Sequence, residues 1–185
     1  MNTDTRLAKT LYVWRVRVSL FCVVAAFFLA EPNRLSLLAG SGFIILGLLL
    51  RGWACGHLSK DKELTTSGPY RFTRSPLYLG SLLIGIGVTS ASRSWWVAGL
   101  LAFIFLVFYS VAVQREKNML QGLFPEAYAA YSRRVPLFFP QLKPDPPNSP
   151  RSFDWSRYLA NKEYRALEAA LVFMALLVLK AILWG

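Results

Sequence analysis

The chain has 185 residues, 55% of them hydrophobic, and a formal net charge of +11 at pH 7. The length suits one domain, and apolar residues collected into long runs exclude an ordinary soluble protein, so we expect residues 1–185 to form a single membrane domain. The basic excess could indicate nucleic-acid binding, but the cations border apolar runs, which favours contact with anionic inner-leaflet lipid and no nucleic-acid partner.

Five apolar runs are candidates for membrane-spanning helices: Val16–Ala30, Leu35–Leu50, Leu77–Val88, Trp95–Val113 and Ala166–Trp184. A helix needs about 20 mostly apolar residues to cross the hydrocarbon core. The second, fourth and fifth runs reach that length with their flanks, and the first does so if it begins near Leu11. The third run is short, so it can span only where the bilayer is thinned or where neighbouring protein shields it. The sequence therefore predicts an all-α polytopic integral membrane protein with about five transmembrane helices.

The basic residues predict the orientation of these spans. With a cytoplasmic N-terminus, 18 of the 21 lysines and arginines lie on the inner side, and only Arg34, Arg93 and Lys180 lie elsewhere. This asymmetry is the positive-inside pattern. The short chain fits a protein of the bacterial inner membrane. A cleaved signal peptide is disfavoured because Phe28 would occupy the −3 position of a cleavage after Ala30.

Small and polar residues divide the rest of the chain. Gly52 and Gly56 share one face of the second helix, which predicts the close approach of a neighbour. The polar, turn-rich segment His57–Ser75 is the first cytoplasmic loop. The fourth span is predicted to continue as a helix through Leu123, followed by a short helix at Glu126–Arg134.

The C-terminal part of the chain divides into three predicted pieces. Prolines dominate residues 136–150, which predicts an extended connector. The segment Phe153–Arg165 mixes aromatic and basic residues, as an interfacial helix does. It leads into the last span, so the two together occupy residues 153–185.

Several common kinds of site are absent from the sequence. A single histidine, His57, cannot build a histidine metal cage or a plausible Ser-His-Asp set. Cys22 and Cys55 lie in apolar segments without metal or redox spacing, so we interpret them as buried thiols. No P-loop or G-x-G-x-x-G pattern occurs, which excludes a soluble dinucleotide-type fold. We predict no metal site.

The first polar constellation lies between the second and third spans. The turn Leu64–Gly68 can offer backbone N–H and C=O groups to a ligand. Pro69 and Pro76 stiffen the chain that follows. Tyr70 and Tyr78 could stack on a base or face a cation, a contact worth about 0.5–2 kcal/mol.

The second polar constellation, Arg115–Pro140, begins where the fourth span leaves the bilayer. A carboxylate at that depth, here Glu116, needs a partner. That partner could be Arg71, Arg74, Arg115 or a ligand, and an ordinary surface salt bridge is also open.

These two segments resemble the isoprenylcysteine carboxyl methyltransferases and the related phospholipid N-methyltransferases over about residues 45–140. The pattern G-P-Y-R-x-x-R-H-P-x-Y-x-G is matched by Gly68–Gly80, except that Ser75 stands at the histidine position. The second family pattern is E-x-x-x-L-x-x-x-F-G-x-x-Y-x-x-Y-x-x-x-V-P, then P. It is matched by Glu116, Leu120, Phe124, Tyr128, Tyr131, Val135, Pro136 and Pro140, with Pro125 at the glycine position.

The resemblance implies an integral membrane enzyme that binds S-adenosylmethionine in a cytoplasm-facing pocket and methylates a lipophilic acceptor. Carried over by position, it implies cofactor contacts from Lys62, Glu63, Leu64, Thr65, Tyr70, Ser75, Pro76, Leu77, Tyr78 and Glu116. Glu116, Arg74 and Arg71 are the candidates for a part in catalysis, the arginines either as anchors to lipid phosphate or as substrate clamps.

Two departures from the family pattern keep the acceptor open. Ser75 removes a ring donor and a possible base, and Ala112 stands where the prenylcysteine enzymes carry a substrate-contacting arginine. A phospholipid amine, a small lipophilic thiol or another carboxylate stays open as the acceptor, and an amine would need a base to take its proton. Two other functions stay open: a non-catalytic membrane protein that retains the fold, and a sterol-reductase-like membrane oxidoreductase with a nicotinamide cofactor. The sequence predicts no oligomeric state.

Overall fold

A computed structural model describes residues 23–59, 63–147 and 151–184 of the chain. The predicted start of the first span, Cys22 and Lys62 lie outside these residues. The helices are, in chain order, residues 23–29 (α1), Arg34–His57 (α2), Pro76–Ser92 (α3), Trp95–Leu123 (α4), Pro125–Arg134 (α5), Trp155–Ala160 (α6) and Tyr164–Trp184 (α7). A short 3₁₀ helix, Gly68–Arg71, precedes α3. The described residues contain no strand, so the all-helical prediction is confirmed.

Three of the described helices, α2, α4 and α7, are long and apolar enough to cross a membrane. The shorter apolar helix α3 coincides with the third predicted span. These helices confirm a polytopic integral membrane protein. Because only residues 23–30 of the first predicted span are described, the count of five spans and the cytoplasmic N-terminus stay predictions.

Glycines set the contact between α2 and α3. A Cβ atom at Gly40 would lie 2.5 Å from the carbonyl oxygen of Gly87, and one at Gly47 would lie 2.6 Å from that of Gly80. No side chain tolerates such approaches, so the glycines allow the two backbones to touch. Most α3 residues are half-buried or buried as a result, which shields this short helix from lipid.

The long helix α4 continues past Val113 to Leu123, as the sequence predicts. Pro125 then begins α5, at the helix position where proline is best tolerated. Tyr128 and Tyr131 of α5 are buried and pack against Leu64 and Leu120. The short helix predicted from Glu126 to Arg134 is therefore confirmed.

The connector after α5 is fixed to the loop between α2 and α3. Three backbone hydrogen bonds join them: Arg74 N to Pro136 O (2.9 Å), Gln141 N to Phe72 O (2.9 Å) and Asp145 N to Arg71 O (3.0 Å). The extended conformation that its prolines favour leaves its N–H and C=O groups free for these bonds. The loop that carries the first motif is thereby held against the end of the second.

The segment before the last span is less helical than predicted. Asp154 accepts a hydrogen bond from Ser156 N (2.7 Å) and begins α6, which ends at Ala160 rather than Arg165. Lys162 then takes a left-handed φ of 54°, which interrupts the helix. The Phe153 ring packs on Gly56, where a Cβ atom would lie 2.2 Å from it. The close approach predicted at Gly56 is thus confirmed, with a ring as the neighbour.

Candidate functional site

A cavity of about 670 Å³ lies where the two motif segments meet. Its walls come from the end of α2, the loop between α2 and α3, the start of α3, the C-terminal part of α4, and α5. Ten of the predicted site residues line it: Glu63, Leu64, Thr65, Tyr70, Arg74, Ser75, Pro76, Leu77, Tyr78 and Glu116. Segments about forty residues apart in the chain thus form one candidate site.

A side-chain hydrogen bond connects the two motifs. The Tyr78 hydroxyl, in the first turn of α3, donates to the Glu116 carboxylate of α4. The Tyr78 ring packs edge-on against Tyr109, with centroids 5.2 Å apart. Glu116 therefore finds a neutral hydrogen-bond partner, and among the described residues it forms no ion pair.

The loop before α3 needs a glycine at one point. Gly68 has a φ of +58°, and a Cβ atom there would lie 2.6 Å from the ring of His57. Both the left-handed backbone and the close ring favour glycine. His57 is buried, with its Nδ1 atom 3.0 Å from the carbonyl oxygen of Trp53, and it does not line the cavity. The histidine therefore supports the loop.

Two buried tyrosines join this loop to α5. The Tyr131 hydroxyl donates to the Tyr70 carbonyl oxygen at 2.6 Å. Burial raises the pKa of Tyr70, and burial likewise raises the pKa of Tyr131. Both phenols are therefore neutral at physiological pH, so neither supplies a phenolate base to the cavity.

The two candidate arginines have different positions. Arg71 does not line the cavity: its Nε atom donates to the Asp145 carbonyl oxygen (2.8 Å) and its own carbonyl accepts from Gln141 Nε2 (3.1 Å). Arg74 lines the cavity, and its Nη1 atom donates to the Tyr128 hydroxyl at 3.1 Å. Only one of the pair can touch a ligand there.

Ser75 occupies the position of the family histidine and is 5% exposed. Its backbone N–H donates to Thr73 Oγ1 at 3.2 Å. Its hydroxyl lies next to that of Tyr109, whose oxygen is buried and makes no hydrogen bond of normal geometry with any described residue. The site therefore has a small polar wall where the resemblance implies an imidazole.

The sequence did not single out Arg51 as a site residue, yet it lines the cavity. Its Nε and Nη2 atoms donate to Glu163, and its Nη1 atom donates to Ser81 Oγ at 2.5 Å. Its position at the end of an apolar run could have indicated a structural role, because a cation there is costly unless it is paired.

Glu63, a predicted cofactor contact, is ion-paired with Arg151. The Arg151 Nη1 atom also donates to Ser59 Oγ at 3.1 Å. Glu63 and Ser59 both line the cavity, so Arg151 supports its edge from outside. Tyr128 and Tyr131 also line it, and their place in the second motif could have indicated this.

Among the described residues, no group of three or more His, Cys, Asp or Glu side chains could hold a metal ion. Cys55 is buried, and its thiol donates to Glu163 Oε2 at 3.3 Å.

Comparison with known proteins places the site in a family context. A family model described as phospholipid methyltransferase matches residues 35–127. The chain is 33% identical over 145 residues to the cobalt-zinc-cadmium resistance protein CzcN of Cupriavidus metallidurans, covering 71% of this chain and 67% of that protein. It is 31% identical over 137 residues to the nickel-cobalt-cadmium resistance protein NccN of Alcaligenes xylosoxydans xylosoxydans, covering 70% of this chain and 64% of that protein.

A more distant relative has an enzymatic name. The chain is 27% identical over 113 residues to the protein-S-isoprenylcysteine O-methyltransferase of Schizosaccharomyces pombe, covering 55% of this chain and 48% of that enzyme. The chain thus matches about two thirds of the length of the bacterial relatives and about half of the yeast enzyme. No solved structure matches it with significance.

Proposed function

This chain belongs to the phospholipid methyltransferase family, and from that membership we propose that it transfers a methyl group from S-adenosylmethionine to a lipophilic acceptor. Family membership makes it a membrane methyltransferase; the cofactor, the acceptor and the cytoplasmic side of the reaction are our proposal. The observation that carries it is the single cavity in which Tyr78 and Glu116 meet.

The cavity suits this cofactor in size and chemistry. Its volume of about 670 Å³ lies within the range of small-molecule sites, roughly 300–1,000 Å³. The Glu116 carboxylate can accept hydrogen bonds from an ammonium or ribose group. The rings of Tyr70 and Tyr78 can face a cation. When bound, the cofactor would supply the methyl group as a sulfonium, and the protein would supply orientation and exclusion of water.

The ionisable groups of the cavity narrow the acceptor. An ammonium acceptor must lose a proton before it can attack, which requires a base. Among the described residues, Tyr70 and Tyr131 are held neutral, Glu63 is ion-paired, and Glu116 is assigned to the cofactor in this proposal. A carboxylate or a readily ionised thiol needs no such help. We therefore favour an acceptor that is anionic or nearly so at neutral pH.

Two measurements test the proposed function. Titration calorimetry of the full chain in nanodiscs with S-adenosylhomocysteine, the spent cofactor, should give measurable heat. Membranes that contain the chain should transfer label from methyl-labelled S-adenosylmethionine to an extractable compound. The absence of both signals would favour the non-catalytic alternative. Displacement of the nucleoside by a nicotinamide dinucleotide would favour the reductase alternative.

A physiological setting in heavy-metal resistance is a second proposal, because the two bacterial relatives are named for it and each match covers about 70% of this chain. In this setting the resistance would follow from the proposed methyl transfer. Expression in a metal-sensitive bacterium should improve growth on cobalt, zinc or cadmium, and Glu116→Gln should remove the benefit. Equal growth of bacteria that carry the unmodified chain and bacteria that carry Glu116→Gln would contradict a role in metal resistance through methylation.

A further inference from the structure

Among the described residues, four cationic side chains line the cavity, and the surroundings of three of them stabilise their charge. Arg51 is paired with Glu163. Arg115 and Lys117 are exposed, so solvent hydrates them. Arg74 differs from all three because it is half-buried and forms no ion pair with any described residue.

The hydrogen bonds of Arg74 leave part of its guanidinium unsatisfied. Its Nη1 atom donates to the Tyr128 hydroxyl at 3.1 Å, and its central carbon lies 5.8 Å from the centroid of the Tyr128 ring. Its Nε atom is buried and has no hydrogen-bond partner among the described residues. A buried guanidinium N–H without an acceptor is costly, and such groups in native proteins usually await one.

The described acidic side chains around the cavity have other partners. Glu63 pairs with Arg151, and Glu116 accepts from Tyr78. Nearby Asp145, which is 8% exposed, pairs with Arg134. Each of these described carboxylates thus has a bonded partner, while the Arg74 guanidinium has the neutral Tyr128 hydroxyl and no counter-charge among the described residues.

We propose that Arg74 binds a carboxylate of a ligand in this cavity, with Tyr128 of α5 holding the guanidinium in place. A guanidinium can form two parallel hydrogen bonds to a carboxylate, which adds orientation as well as affinity. The assignment separates Arg74 from Arg71, which lies three residues earlier and is bonded to the connector. It rests on the proposed function for the identity of the ligands.

The carboxylate has two possible sources: the amino-acid head of the cofactor, or an anionic lipophilic acceptor. The chemistry at Arg74 is the same for both. Comparing S-adenosylhomocysteine with 5′-methylthioadenosine tests the cofactor as the source. The two compounds share the nucleoside and the thioether sulfur, and only the first carries the amino-acid head. Comparing dodecanoate with dodecanol tests an anionic lipophilic acceptor as the source. The two compounds share the apolar chain, and only dodecanoate carries a negative charge.

The experiment measures the affinity of all four probes for the full chain in nanodiscs, with empty nanodiscs as background. The variants are Arg74→Gln and Arg74→Lys, and Arg133→Gln is the matched control because Arg133 is an exposed cation of α5 that does not line the cavity. In Arg74→Gln, the affinity for one of the two carboxylate probes, S-adenosylhomocysteine or dodecanoate, should fall by roughly 10- to 100-fold, because two charge-assisted hydrogen bonds are lost. The matched probe without a carboxylate should bind as before. Arg74→Lys should recover part of the loss, and Arg133→Gln should change little.

The outcomes decide between the sources and the alternatives. A selective loss of S-adenosylhomocysteine assigns Arg74 to the cofactor, and a selective loss of dodecanoate assigns it to the acceptor. Unchanged binding of both carboxylate probes in Arg74→Gln overturns the inference. Equal loss of charged and uncharged probes also overturns it, since the role is then structural. If the unmodified chain binds neither nucleoside, the proposed function fails, and the dodecanoate pair still decides whether Arg74 binds a carboxylate.

Discussion

Arg51 and Glu163, 112 residues apart, form a two-point ion pair beside the cavity, with Nε–Oε1 at 2.5 Å and Nη2–Oε2 at 3.0 Å. Arg51 also donates to Ser81 of α3, so one side chain joins α2, α3 and the segment before α7. Glu163 lies outside the stretch that matches the family model. The C-terminal segment is therefore part of the structure that supports the site.

Glu163→Gln should destabilise the protein, because it leaves the Arg51 guanidinium without its counter-charge. Glu163 is 7% exposed, and breaking one side of a buried pair costs about 3–5 kcal/mol. Thermal unfolding of the detergent-solubilised chain should show a clear fall in Tm. The control is Glu168→Gln, an exposed position of α7 that should move Tm little. Equal Tm values for the two variants would show that the pair contributes nothing to stability.

Gly68→Ala should weaken both the fold and ligand binding. An L side chain at a φ of +58° costs about 1 kcal/mol or more, and the new Cβ would lie 2.6 Å from the His57 ring. The loop that carries Tyr70 must then shift, which should lower Tm and the affinity for S-adenosylhomocysteine together.

Gly122→Ala is the matched control for that substitution. Gly122 lies in α4, and a Cβ atom there would meet nothing within 4 Å. Alanine is favoured over glycine in a helix by about 1 kcal/mol, so this variant should be neutral or slightly stabilised. A Gly68→Ala chain as stable as Gly122→Ala would contradict the strained geometry of the loop.

Much of the fold follows from the sequence, since long apolar runs at helical length leave few alternatives in a membrane. The short helix α5 was also predictable, because its two tyrosines share one face three residues apart. The extent of α6 was not, because a single left-handed residue, Lys162, ends the helical segment, and nothing in its side chain demands that conformation.

The composition of the site was predictable in part from the two sequence motifs. The motifs indicated which residues belong together, and ten of them line one cavity. The difference between Arg71 and Arg74 was not predictable, because it depends on which carbonyls and carboxylates the connector places beside each. Arg51 was counted with the basic residues that border a span, and its pairing partner lies 112 residues away.

Arg151 and Glu63 offer a charge-reversal test of the cavity edge. Each side chain is 31% exposed, so solvent weakens the pair. Arg151→Glu or Glu63→Arg alone should lower S-adenosylhomocysteine affinity by roughly 2- to 5-fold, as expected for a pair of this exposure. The double reversal should restore much of it, and raised salt should reduce the difference.

Arg133→Glu is the control for that charge change, because Arg133 is exposed on α5 and forms no ion pair with any described residue. It should leave the affinity near that of the unmodified chain. A double reversal that binds as poorly as the worse single variant would show that Arg151 and Glu63 act separately.

Glu116→Gln should weaken S-adenosylhomocysteine binding while the protein stays folded. The amide keeps the shape of the side chain, but it removes the negative charge that can face an ammonium or the ribose hydroxyls. Loss of one charge-assisted hydrogen bond predicts a fall of roughly 10-fold or more in affinity.

Tyr78→Phe should give a smaller loss of affinity than Glu116→Gln, because the ring stays and only the hydrogen bond to Glu116 disappears. Tyr78→Ala should resemble Glu116→Gln, since it removes the ring that can face the sulfonium. Glu126→Gln, an exposed carboxylate at the start of α5, is the control for charge alone and should bind normally. Full affinity in Glu116→Gln, with folding verified by Tm, would remove this carboxylate from the cofactor site and leave the link between the two motifs purely structural.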